Sequence, residues 1–429
     1  MKHTKQEGKK IAVVGLGAVG LPLALLADHK GYHVIGIDVN PEVVERLSRR
    51  ESPFLDRNLE KQTAKSRLDV TNDFSRVKEA AVVIVGITTS VREDRTPDLV
   101  ALRAACRNIA PHVQKGQLVI VESAVNPGTC ESVVLPILEK GSHLRGGLDF
   151  DLAYCPERTN PGDEKWHVEK IPRVVGGLDP VSLKRAISFY KTLLKGEIKP
   201  MSSLKEAEAV KIVENAFRDV NIAFVNELAV SFSKLGIDVL RVIEGASTKP
   251  FGFMPFYPGG VGGRFIPVDP YALIDVAGEN GFEHRILALA REINDDMPRF
   301  VVERLEKTLE KHAGKLARAN IAVLGLAYKP DIDDARESPS HEIVRILTKK
   351  GANVRTYDPY IKDQSSAKTL HDALAHADGV IIATAHEPFR ALRPHDFVKH
   401  GIRVVVDGRN CLPKEDFVKA GIAYQGVGR

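Results

Sequence analysis

The sequence predicts an α/β protein made of two doubly wound domains joined by a long central helix and a helical middle region. Three observations predict it. The apolar run Lys10 to Val14 leads through the glycine turn GLGAVG into a helical pattern ending near Lys30, and a second apolar run follows from His33 to Asp38; this is a βαβ unit. From Ser203 to Leu235 an apolar-periodic stretch runs without proline or glycine. The opening IAVVGLGAVG is echoed by IAVLGLAYKP from Ile321, so the two halves read as related, Rossmann-like domains.

The 429 residues exceed a single compact core and fit two or three domains. With 43% hydrophobic and 27% charged residues, and Gly and Pro at 34 and 24, the chain lies outside the disordered, collagenous and coiled-coil classes. The net charge of +5 is spread along the chain, with no basic block beyond the tail Met1 to Lys10, so nucleic acid is not an expected partner. Cys106, Cys130, Cys155 and Cys411 lie far apart, which suits neither a zinc knuckle nor a disulfide scaffold. The polar N-terminus and the lack of a long apolar run predict a cytoplasmic protein with no membrane partner.

In the first domain, apolar runs at Ala81 to Val85 and Leu118 to Glu122 alternate with helical segments at Leu99 to Val113 and Cys130 to Leu138 and extend a parallel sheet. Runs near Leu152 to Tyr154 and Arg173 to Val175 finish it. The expected boundaries are residues 1–200 for this domain, 201–315 for the helical centre and 316–429 for the second α/β domain. In the long stretch Leu204, Ala207, Val210, Val213, Phe217, Val220 and Phe224 recur at helical spacing; such a helix is a candidate interface for a homodimer. A second helical region, Glu283 to Leu316, is expected to be interrupted at Met297-Pro298. Strands at Val354 to Tyr357, Gly379 to Ile382 and Arg403 to Val406, with a helix at Ser338 to Lys350, build the second sheet.

Gly15, Gly17 and Gly20 form GxGxxG between a strand and a helix, with Asp38 ending the next strand. The first glycine makes the turn, the second admits a pyrophosphate, the third lets helix and strand pack, and the carboxylate takes ribose hydroxyls. Because Val39 and Asn40 follow with no arginine, NAD is favoured over NADP. Lys211 and Asn215, one turn apart, leave one helix face and can meet one substrate oxygen; by spacing alone a solvated helix face is the commoner reading. Tyr257 to Asp269, YPGGVGGRFIPVD, reads either as close backbone approach to a ligand or as a plain loop. Asp269 suits orienting water, holding Lys211, or capping a surface helix near Pro270. Lys329, Arg336, Glu337 and Ser338 suit a diphosphate site or a charged solvated loop.

Taken together, IAVVGLGAVGLPLA, GIDVNPEVVERL, YCPERTNPGD, EAEAVKIVENAFRDVNIAFVNELA, GGVGGRFIPVDPYAL and LGLAYKPDIDDARESPS resemble the nucleotide-sugar dehydrogenases over essentially the whole chain. VNIAFVNELA and IPVDPY resemble the branch acting on UDP-N-acetylhexosamines. The resemblance implies a UDP-sugar substrate, two oxidations at C6 with two NAD, and a cysteine that holds the intermediates. It implies catalytic roles for Lys211, Asn215, Asp269 and Glu157. It further implies that Thr88 and Glu122 join Gly15, Gly17, Gly20 and Asp38 at the cofactor, and that Tyr257, Gly262, Gly263, Phe265, Lys329, Arg336 and Arg409 line the substrate. A 3-hydroxyacid dehydrogenase shares the dinucleotide domain and the Lys-plus-Asn helix, but does not need the domain from Asn320 onward.

Two departures from the family pattern follow. The cysteine of its GGxC motif falls at Phe265, and the threonine after Glu122-Ser123 is replaced by Ala124. A primary alcohol has a hydride to give, whereas a planar aldehyde must first gain a nucleophile, which phenylalanine cannot supply. The expected reaction therefore stops at a UDP-sugar 6-aldehyde. The alternatives are full oxidation by another route, with Cys155 as a substitute nucleophile or through an aldehyde hydrate, oxidation at another carbon, and a non-catalytic protein that binds NAD and a UDP-sugar.

Overall fold

The structure is a computed structural model that describes residues 9–54, 56–91, 97–159, 165–263 and 265–429. The tail before Lys9, residues 160–163 of the YCPERTNPGD stretch and Arg264 lie outside the described residues. The chain forms two compact units, Met1–Glu214 with Asp275–Phe282, and Asn215–Ile274 with Glu283–Arg429.

In the first unit the strands are β1 (Lys10–Val14), β2 (His33–Ile37), β3 (Asp69–Thr71), β4 (Val82–Val85), β5 (Ser90–Val91), β6 (Pro97–Asp98), β7 (Leu118–Val121), β8 (Asp151–Tyr154), β9 (Arg173–Gly177) and β10 (Ile198–Pro200). Eight of them form one sheet in the order β10-β9-β8-β7-β4-β1-β2-β3, and β5 and β6 make a small antiparallel pair. Runs such as VVIV and LVIV are apolar throughout because helices cover both faces. Alternate side chains serve two cores: Ala12, Val14, Val83, Val85 and Val121 on one face, Ile11, Val13, Ile84 and Ile120 on the other. Each buried Val or Ile stabilises by roughly 1.5–3 kcal/mol.

The second unit has β11 (Asn320–Leu324), β12 (Asn353–Tyr357), β13 (Gly379–Ile382), β14 (Val404–Asp407) and β15 (Ala423–Gly426), ordered β12-β11-β13-β14-β15 and parallel throughout. Ile321, Val323, Ile381 and Val406 pack with Leu305 and Leu309 on one face, while Ala322, Leu324, Val380 and Ile382 pack with Phe389 and Phe397 on the other. The fold is thus two Rossmann-like doubly wound sheets joined by the helix Leu204–Leu235 and a helical middle.

Several elements depart from the sequence expectation. β9 runs antiparallel to β8, since no helix among the described residues intervenes to carry the chain back to a parallel start. The segment at Cys130 opens as a π-turn, Cys130–Val134, before the α-helix Leu135–Ser142. Pro298 does not interrupt its helix, which is continuous over Arg285–His312; the missing N–H leaves one intrahelical bond unmade, and buried Met297, Val301, Val302 and Leu305 hold the helix against the sheet. In the long helix Leu204 and Ala207 are buried, but Val213, Phe217 and Phe224 are about half exposed. The buried face mixes apolar Ile212, Ala216, Ala223, Val225 and Ala229 with polar Glu208, Lys211, Asn215, Asp219 and Asn226.

Candidate active site

At the end of β1 the chain turns at Gly15, whose φ of +91° lies in the region glycine favours. A Cβ at Gly20 would fall 1.9 Å from the Gly15 carbonyl oxygen, and one at Gly17 would stand 3.3 Å from the Thr88 hydroxyl. The turn therefore closes only with glycine at its third position. The helix Gly20–His29 that follows has no side-chain cap; the Leu21 amide donates to the Gly17 carbonyl at 3.0 Å, and the positive end of the helix dipole behind the turn suits an anion. Asp38, just after β2, accepts the Leu16 amide at 2.7 Å and the Asn40 amide at 2.9 Å. These two bonds fix the carboxylate beside the turn, where the Gly15, Gly17, Gly20 and Thr88 groups already converge.

Glu122, at the end of β7, turns inward and is almost fully buried. It accepts the Tyr190 hydroxyl at 2.5 Å and lies 3.6 Å from Arg173, and burial pushes its carboxyl pKa up. Arg173 donates to the Pro156 carbonyl at 3.1 Å, and the Glu157 amide lies 3.5 Å from the Glu122 carbonyl, so this buried group braces the segment that carries Glu157. The Glu157 carboxylate accepts the Thr159 amide. Cys155 lies within the same core, fully buried, its thiol pushed up to about 12 by burial.

On the long helix, Lys211 and Asn215 stand one turn apart and are 9% and 7% exposed. Asn215 donates its amide to Asp269 at 2.5 Å. Asp269, 5% exposed, opens the helix Asp269–Glu279, and its own amide donates to the Phe265 carbonyl at 2.7 Å. Asp269 is therefore not a surface cap: that account is corrected, because its side chain is turned into the protein to meet Asn215.

The glycine-rich segment packs against protein backbone and side chains. A Cβ at Gly262 would meet the Glu337 carbonyl and Pro339 at 2.7 Å, and one at Gly263 the Tyr328 ring at 2.7 Å. Arg409 donates to the carbonyls of Ala383 at 2.9 Å and Gly260 at 2.8 Å, which joins this segment to the end of β14. Burial holds the Arg409 guanidinium below its ordinary pKa. Arg336 is exposed and forms a two-pronged pair with Asp334, Lys329 is half-buried, and the Tyr257 side chain is 63% exposed.

The echo between the two halves extends to the carboxylates. Asp358, just after β12, accepts the amides of Leu326 at 2.7 Å and Ala327 at 2.9 Å, as Asp38 accepts that of Leu16. In this second copy the carboxylate also meets His386 Nε2 at 2.9 Å, while His386 Nδ1 accepts the Asp331 amide at 2.8 Å. A nitrogen that accepts carries no proton, so Nε2 is the donor to Asp358. The turn amides are thus satisfied internally, and the next helix is capped by Ser338. Burial alone would raise the Asp358 pKa, but His386 and the two amides outweigh it and hold the carboxyl near about 2. A folded pKa below the unfolded ~3.9 gives stability that is fully present above that value and lost as pH falls toward 2; the pair of values corresponds to roughly 2 kcal/mol. Asp358→Asn is expected to flatten the acid limb of the unfolding curve between pH 4 and 2, measured by circular dichroism; an unchanged limb would refute the assignment.

Sequence reading passed over Asn226, Tyr328 and Asp358. The signal for Asn226 was present as a polar stripe at helical spacing, and that for Asp358 as the counterpart of Asp38 in the repeat.

Residues 9–194 match the NAD binding domain of the UDP-glucose/GDP-mannose dehydrogenase family, residues 205–296 its central domain, and residues 322–414 its UDP binding domain. The chain belongs to the UDP-glucose/GDP-mannose dehydrogenase family. It is 37% identical to UDP-N-acetyl-D-mannosamine dehydrogenase of Pyrococcus horikoshii, over 98% of this chain and 99% of that one. It is 36% identical to UDP-N-acetyl-D-glucosamine 6-dehydrogenase of Pseudomonas aeruginosa, covering 91% and 94%. The solved structure of the Pyrococcus horikoshii UDP-D-ManNAc dehydrogenase superposes with a TM-score of 0.91 at 35% identity, covering 98% and 99%. This family member is an NAD-dependent nucleotide-sugar dehydrogenase, and the uncapped glycine turn with Asp38 fits the cofactor. Among the described residues no helix is long and apolar enough to cross a membrane.

Proposed function

We propose that this dehydrogenase oxidises the C6 alcohol of a UDP-N-acetylhexosamine with NAD and stops at the aldehyde. The sugar class follows the names of its relatives, which act on UDP-N-acetylmannosamine and UDP-N-acetylglucosamine. NAD, when bound, accepts the hydride. As the C6 hydroxyl gives up its proton, Lys211 stabilises the developing negative charge on oxygen. Asn215 has two N–H hydrogens; the one on Asp269 fixes the turn of the amide, and the other is offered to the same substrate oxygen. The alcohol thus gives its hydride to NAD and its proton to solvent water and becomes a carbonyl. Glu157, braced through Arg173, is assigned to the same reaction, and Tyr257, Gly262, Gly263, Phe265, Lys329, Arg336 and Arg409 to the nucleotide sugar.

The observation that carries the stop is the state of the thiols. Phe265 occupies the family's cysteine position, and the four cysteines are all poor nucleophiles: Cys106, Cys130 and Cys155 are fully buried, and burial raises all four thiols, with Asp407 adding to the effect at Cys411. Cys155 in particular packs among Ala186, Phe189 and Tyr190. Without a thiolate the protein supplies no nucleophile to turn the aldehyde into the tetrahedral adduct from which a second hydride leaves. Incubation with NAD and a panel of UDP-sugars is expected to yield one NADH per sugar consumed and a product trapped by a carbonyl reagent. Two NADH with a uronic acid as sole product would overturn the proposal, and no NADH with any sugar would leave a binding protein.

A homodimer is the proposed assembly, with Val213, Phe217 and Phe224 on the long helix, and Phe251 and Met254 beyond it, as the exposed apolar surface to be covered. Sedimentation is expected to show a dimer that Phe217→Asp converts to monomer; a monomeric unaltered chain would refute this.

A further inference from the structure

Beyond these assignments, a buried side-chain network in the second unit has no role in the chemistry. Asp219 and Asn226 come from the long helix, Arg291 and Asn294 from Arg285–His312, and all four are nearly or fully buried. Arg291 donates to Asp219 and to Asp295. Asn294 Nδ2 donates to Asp219 Oδ1 at 2.8 Å and to the Asp219 carbonyl at 3.0 Å. Asn226 Nδ2 donates to Asn294 Oδ1 at 2.8 Å and to the Gly259 carbonyl at 3.1 Å, and Asn226 Oδ1 accepts the Gly259 amide at 2.8 Å.

The order of donors and acceptors in this chain is forced. Asp219 accepts from Arg291, so Asn294 must present its NH2 to it, which leaves the Asn294 oxygen facing Asn226. Asn226 must then present its own NH2 to Asn294 and Gly259, and only its oxygen remains for the Gly259 amide. Asn226 therefore reads the Gly259 peptide as a neighbouring strand would, taking both its donor and its acceptor. The next carbonyl, Gly260, is held by Arg409 from the other side. Tyr328, Glu337 and Pro339 close the space over Gly262 and Gly263. Two consecutive peptides are thus gripped between helices and sheet.

We propose that Asn226, ordered by Asn294 and Asp219, is a positioning residue that sets the conformation of the Tyr257–Gly263 segment for binding the uridine nucleotide. This rests on the proposed assignment of that segment to the substrate. Asn226→Asp keeps the shape and removes both donors, leaving an acceptor against the Gly259 carbonyl and the Asn294 oxygen. Two buried bonds are lost, so the affinity for UDP, measured by calorimetry, is expected to fall about tenfold or more. NAD affinity is expected to be unchanged, and amide exchange in residues 257–263, followed by mass spectrometry, to speed up. A fold defect would instead lower NAD and UDP affinity together; in that event Asp219→Asn, which removes the charge that orders the chain, decides the matter by the same three measurements. Equal losses for both ligands in both variants, or unchanged UDP affinity, would overturn the network's role. An unaltered chain that binds no UDP would overturn the substrate assignment itself, and this inference with it.

Discussion

Phe265→Cys is expected to raise the yield from one NADH per sugar nucleotide to two and to replace the carbonyl product by a uronic acid. The argument is local. Position 265 precedes the helix Asp269–Glu279, and its carbonyl already receives the amides of Val268 and Asp269. A thiol placed there stands close to a helix N-terminus, whose partial positive charge favours the thiolate. The four natural cysteines lie in the opposite environment, where burial favours the protonated form. Phe265→Ser separates nucleophile from volume: it clears the ring but supplies only a hydroxyl, so the yield is expected to stay at one. If both variants gave two NADH, the phenylalanine would act by bulk alone and the missing sulfur would be irrelevant.

The sequence made some parts of this architecture readable because they are steric rules written in residue types. Gly15 and Gly20 are demanded by backbone contacts that a Cβ would violate, and a strand-turn-helix context is enough to anticipate them. The two sheets follow from apolar runs buried on both faces. Where the reading ran out, the reason was that partners are chosen by tertiary proximity. Arg336 and Arg409 look alike as loop cations, yet one pairs with Asp334 at the surface while the other ties β14 to the Gly260 carbonyl. The long helix shows a second limit. Apolar periodicity marked Val213, Phe217 and Phe224, whereas the buried face interleaves Ile212, Ala216, Ala223, Val225 and Ala229 with Glu208, Lys211, Asn215, Asp219 and Asn226. A scale that counts polar residues as exposed cannot find a face whose burial depends on hydrogen bonds between helices. Short strands such as β3 and β10, three residues each, carry too little pattern to register.

The cofactor turn allows ligand contact and packing to be told apart with three alanines. Gly20→Ala puts a Cβ 1.9 Å from the Gly15 carbonyl, a separation that only displacement of the turn relieves; strain of this kind costs about 1–3 kcal/mol or more. This variant is expected to lose NAD binding and also to unfold at lower temperature. Gly17→Ala meets only the Thr88 hydroxyl at 3.3 Å, so the folded state tolerates it, but the methyl occupies the place where backbone is to approach the pyrophosphate. Its melting temperature is expected to stay near that of the unaltered chain while NAD affinity collapses. Gly31→Ala is the control, with φ of +92° and nothing within 4 Å of the added Cβ; it is expected to cost about 1 kcal/mol of stability through backbone strain and to leave NAD affinity intact. Calorimetry with NAD and thermal melts on the three variants check the pattern. Should Gly17→Ala bind NAD as well as Gly31→Ala does, the backbone at Gly17 is not where the pyrophosphate passes, and the turn would be a packing device only.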